Sequence, residues 1–108
     1  MENGNELASS ATIACSLSGQ DLSQRQAVAR DLFALAQQVE ELPDGYAWRF
    51  PGEGEWQVRL LDFVAAERRC CGFFRIELVY EPGLGPVTLT LRGPEGTRAF
   101  IEQTFATR

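Results

Sequence analysis

The 108-residue chain predicts an α+β fold: a two-layer sandwich in which one four-stranded mixed sheet carries its helices on a single face. Three observations lead there. Segments that alternate apolar and polar residues with period two are interleaved with segments of helical period. The alternating segments are apolar on one side only, so the sheet needs one cover. An apolar share of 44% in a chain of this length supports one core and one domain, assigned to residues 11–108.

Residues 1–10 are polar and aperiodic, and are expected to form a disordered tail. In Thr12-Ile13-Ala14-Cys15-Ser16-Leu17 the alternation predicts a first strand with Ile13, Cys15 and Leu17 on one face. From about Leu22 to Leu42, apolar residues at 28, 32, 35, 39 and 42 predict a helix, opened by a Ser23/Gln26 capping box and closed by Pro43-Asp44-Gly45. Tyr46, Trp48 and Phe50 then alternate as a second strand that buries three aromatic rings.

A turn at Pro51-Gly52-Glu53-Gly54 leads into a second helix over about Glu55–Cys71, with Trp56, Leu60, Phe63 and Val64 as its stripe. Gly72 is expected to stop it in the left-handed conformation, with Phe73 supplying the accompanying apolar contact. Phe74, Ile76, Leu78 and Tyr80 form a third strand, and Val87 to Leu91 a fourth, the two paired as an antiparallel hairpin. Gly93-Pro94-Glu95 marks a last helix with proline at its first position, burying Phe100, Ile101 and Phe105. The predicted order is β-α-β-α-β-β-α.

Charge and composition narrow the function. A net charge of -5 argues against nucleic acid and against an anionic membrane surface as partners, because both require a basic patch. No segment approaches the roughly 18 unbroken apolar residues of a membrane span, and the N-terminus lacks a secretory signal, so a cytoplasmic location is expected. The ten basic residues are all arginine, which fits a GC-rich coding bias and carries no functional weight here. With no histidine, Ser-His and Cys-His catalytic pairs are excluded, and no catalytic residue is assigned.

Three cysteines make a disulfide framework an unsuitable reading, and a cytoplasmic chain keeps its thiols reduced. The informative stretch is Glu67-Arg68-Arg69-Cys70-Cys71-Gly72. On a helical wheel at about 100° per residue, Glu67 falls in the middle of the stripe formed by Trp56, Leu60 and Phe63. Cys70 and Cys71 flank it at i+3 and i+4, whereas Arg68 and Arg69 fall outside. A carboxylate on a buried face must be wet, paired with an arginine, protonated, or employed beside the thiols. If Cys15 reaches the helix end from the sheet, the cluster is Cys15, Cys70, Cys71 and Glu67.

Such a donor set suits soft ions: mercury(II), zinc or copper(I), or arsenite. The paired C-x₂₋₄-C spacing of structural zinc sites is missing. Adjacent helical cysteines diverge by about 100°, so Cys15 with one of the pair makes the better chelate. A redox thiol at Cys70 or Cys71 is the competing reading: the neighbouring arginines favour a thiolate and the helix dipole opposes it. In the third reading the cysteines only pack, as small hydrophobes, in a non-catalytic interaction module.

Ile-Ala-Cys-Ser-Leu at 13–17, Glu-x-x-Cys-Cys-x-Phe-Phe at 67–74 and Leu-Arg-Gly-Pro-Glu-Gly at 91–96 together resemble a family of small bacterial proteins and domains. Its pattern is I-A-C-x-L, E-x-x-C-C-x-F-[FL] and L-x-[AG]-P-E-G, and some members accompany mercury-resistance or other metal-responsive genes. The resemblance covers nearly the whole chain from Ile13 onward. It implies that Cys15, Cys70 and Cys71 act as one unit and points to a soft metal ion as ligand, without bringing an activity. Many members have proline after the cysteine pair, where this chain has Gly72. The expected function is therefore binding of a thiophilic ion rather than catalysis, in a chain also compatible with homodimerisation.

Overall fold

The computed structural model describes residues 19–105. Among them the chain forms helix α1 (Gly19–Phe33), strands β1 (Gln38–Leu42) and β2 (Gly45–Phe50), and helix α2 (Trp56–Cys70). Strands β3 (Arg75–Tyr80) and β4 (Val87–Arg92) and helix α3 (Thr97–Thr104) complete the α+β fold. The expected strand at Thr12–Leu17 lies outside the described residues.

The sheet has the order β1-β2-β4-β3 and every pairing is antiparallel, where a mixed sheet was expected. The difference arises from β1, which occupies residues assigned by spacing to the end of the first helix. That helix stops at Phe33, and Gln38–Leu42 pairs with Arg49–Gly45 across a two-residue turn, Pro43-Asp44. Of the spacing at 28, 32, 35, 39 and 42 only Leu32 is buried on α1, beside Ala29 and Phe33, while Val28 and Leu35 are exposed. Helix α1 also begins before Ser23, so that residue lies within the helix and not at its cap.

Alternation along the strands places Tyr46, Trp48 and Phe50 beside Leu91, Leu89 and Val87, and these beside Ile76, Leu78 and Tyr80. The rings of the helices meet this face. Phe33 stacks on Trp48 at 4.3 Å, Trp56 stacks on Phe50 at 4.9 Å, and Phe63 and Phe105 meet Phe33 edge-on. Burying each phenylalanine ring contributes about 1.5–3 kcal/mol, and these rings join the aliphatic residues Leu60, Leu89, Leu91 and Ile101 in one core. The opposite face carries Arg49, Thr88, Thr90, Arg92 and Glu77.

Two helix termini depart from expectation. Helix α2 ends when Cys71 itself leaves the helical region (φ -130°, ψ 70°), its N–H still donating to the Glu67 carbonyl at 2.7 Å. Gly72 is not left-handed, and the nearest atom to a Cβ placed there would be 3.9 Å away. Helix α3 starts at Thr97 rather than at Pro94, behind a left-handed Gly96 (φ 100°). The Pro94 carbonyl accepts from both the backbone N–H and the hydroxyl of Thr97, so proline precedes the helix as an acceptor.

Candidate functional site at the end of helix α2

Helix α2 buries Trp56, Leu60, Phe63 and Glu67. The i, i+4, i+7, i+11 spacing of these residues puts a carboxyl group on the same stripe as the core side chains, and Glu67 is 3% exposed. Cys71, one turn further on, is 2% exposed, and its thiol is a neighbour that favours the ionised form of the Glu67 carboxyl group. Cys70 is half-buried, and Arg68 and Arg69 are exposed. The two cysteines thus differ: Cys71 shares the buried environment of Glu67 and Cys70 lies at its margin.

Arg25 of α1 faces the same carboxylate from the neighbouring helix. Its Nη2 lies 3.6 Å from Glu67 Oε2, with the arginine side chain 24% exposed and the glutamate 4%. The separation is that of an ion pair without a hydrogen bond. Arg25 Nε and Nη2 and Glu67 Oε1 are buried and have no hydrogen-bond partner among the described residues. Burial raises the pKa of Glu67 above its ordinary 4.5; the Cys71 thiol and the Arg25 charge act in the opposite direction without cancelling it.

Arg25 was not singled out from sequence, although a signal exists. It precedes Ala29 by four residues and Leu32 by seven, so it extends the buried stripe of α1 toward the end of α2. The segment after Cys71 is anchored by an aromatic group at the margin of the main core. Phe73 packs against Phe74 at 4.5 Å and against Phe100 of α3 at 5.1 Å. This contact holds the exit from α2 against the last helix.

Among the described residues, no three cysteine, aspartate, glutamate or histidine side chains converge closely enough to hold an ion. Glu67, Cys70 and Cys71 alone therefore do not form the expected cluster, because consecutive helical positions diverge around the axis. Cys15, the fourth member, lies outside the described residues. Compared with protein-family models, curated proteins and solved structures, the chain matches none. The chemistry of the site thus rests on its own geometry: a buried thiol one turn from a buried carboxyl group, with a guanidinium beside the latter.

Proposed function

We propose that this protein binds a soft, thiophilic metal or metalloid ion in the cytoplasm, with Cys71 and Cys15 as the principal thiolate donors, Cys70 as the accessory one and Glu67 tuning the site. The observation that carries this reading is the burial of the Glu67 carboxyl group and the Cys71 thiol one helical turn apart. A thiol must lose its proton to ligate a soft cation, and the carboxyl group placed to take part in that transfer is Glu67, one turn before Cys71. Arg25 offsets the negative charge that a thiolate and a carboxylate bring together.

Mercury(II) is the ion best suited to such a donor set, since two sulfurs satisfy its linear coordination; zinc and copper(I) are also thiophilic. Cys15 enters this reading from the sequence alone, through the I-A-C-x-L pattern at Ile13–Leu17. Titration of the reduced protein with mercury(II) and zinc, followed by calorimetry, tests the proposal. Cys71→Ser and Cys15→Ser should each weaken binding about 10-fold or more, because only the accessory Cys70 is left to pair with the remaining principal thiol. Affinities equal to wild type in both Cys70→Ser and Cys71→Ser would sink it.

A second reading, thiol chemistry at Cys70, draws support from its half-exposed position beside Arg68 and Arg69. It predicts that Cys70→Ser abolishes reaction with hydrogen peroxide and leaves metal affinity unchanged.

A further inference from the structure

Among the described residues, the sheet ends in β1 on one side and β3 on the other. The two edges differ in character. Strand β1 presents Gln38, Glu40 and Glu41, and a copy paired there would set glutamate against glutamate. Strand β3 has neither proline nor lysine to block pairing, and leaves Val79 49% and Tyr80 50% exposed.

The Glu81 N–H donates to the Pro86 carbonyl on the β4 side. By antiparallel alternation, Arg75, Glu77 and Val79 then direct their backbone groups toward β4, and Ile76, Leu78 and Tyr80 direct theirs outward. Beside this edge lies a groove of about 440 Å³ lined by Val64 and Arg68 of α2 and by Phe74, Ile76 and Leu78. Leu61, one turn before Val64 and Ala65 on α2, is 54% exposed and extends the apolar surface along the helix.

We propose that β3 is the seam of a homodimer, pairing antiparallel with β3 of a second copy so that Leu78 lies opposite its own counterpart on the two-fold axis. In that register Ile76 faces Tyr80 of the other copy, and the outward backbone groups of Ile76, Leu78 and Tyr80 complete one another's hydrogen bonds. Arg75 faces Glu81 of the other copy twice over, which makes the edge self-complementary in charge as an isologous contact requires. On the helix side, each Tyr80 ring covers the groove of the opposite subunit, and the Leu61–Val64 stripes of the two α2 helices come together. The alternative register, shifted by one residue, would set Arg75 against Tyr80 and lose the charge match.

Sedimentation equilibrium on the full chain, with amide hydrogen exchange, tests this. The expected result is a dimer with slowly exchanging Ile76, Leu78 and Tyr80 amides. Arg75 is highly exposed, so Arg75→Glu leaves the fold intact and should weaken the dimer about 10-fold by opposing Glu81. Arg75→Glu combined with Glu81→Arg should restore it. A wild-type monomer at ~100 μM overturns the proposal, whether its β3 amides exchange fast or are protected by another part of the same chain. A dimer unaffected by Arg75→Glu overturns it equally.

Discussion

Arg25 and Glu67 stand 3.6 Å apart across the α1–α2 contact, close enough to feel one another's charge and too far to share a hydrogen bond. In a well-satisfied buried ion pair each partner compensates the other's desolvation. Here the compensation is incomplete, and the carboxyl group retains its proton to higher pH than an exposed glutamate does.

Stability should therefore depend on pH through Glu67. Its folded-state pKa is raised by burial, so the folded form holds this proton more tightly than the unfolded chain. The resulting stability is complete below the ordinary value of 4.5 and is lost as pH rises through the raised folded value. Urea midpoints of wild type and Glu67→Gln, measured across that window, should diverge, with the glutamine variant losing less on the alkaline side. Parallel profiles would show that Glu67 does not titrate in this way.

Removing the guanidinium should make the same dependence steeper. Arg25→Met keeps the aliphatic contact and deletes the charge, leaving Glu67 buried beside no cation among its described neighbours. The expected cost is about 1–3 kcal/mol at pH 8 and clearly less near pH 4.5, where the carboxyl is protonated. Equal losses at both pH values would mean that Arg25 acts by packing alone.

The two adjacent cysteines should be chemically distinguishable. Cys70 is half-buried whereas Cys71 is nearly inaccessible, so iodoacetamide under native conditions should label Cys70 first. Peptide mass spectrometry at timed intervals reads the order directly. Faster labelling of Cys71 would contradict the burial described for the end of α2.

Two glycines offer a contrasting pair of tests. A Cβ at Gly45 would lie 1.8 Å from the Leu91 carbonyl oxygen, so Gly45→Ala must push β2 and β4 apart and should cost about 2–4 kcal/mol. Gly72→Ala meets nothing closer than 3.9 Å and requires no left-handed backbone. That substitution should be neutral or stabilising by up to about 1 kcal/mol through the unfolded state. Circular dichroism melts of both variants suffice.

The elements legible from sequence were those in which local pattern and burial agree. Tyr46, Trp48 and Phe50 alternate and are buried, and the wheel that placed Glu67 among Trp56, Leu60 and Phe63 describes the buried face of α2. Strand β1 was not legible, because Val39 and Leu42 continue a helical spacing and Glu40 and Glu41 have little strand preference. Its conformation is decided by pairing with β2, a tertiary cause. Gly72 matched the pattern of a left-handed stop, yet Cys71 turns the chain first. Arg25 was overlooked because an arginine on a helix is ordinarily a solvated residue, and only the approach of α2 gives it a partner.

The Phe33–Trp48 stack has a practical consequence. The Trp48 indole is fully buried, its N–H has no hydrogen-bond acceptor among the described residues, and one of its faces is closed by a ring from α1. Its fluorescence should be blue-shifted while α1 is docked and should move to the red when that helix detaches. The helix that carries Arg25 thus reports its own position optically, so that events at Glu67 and Cys71 can be followed without attaching a dye.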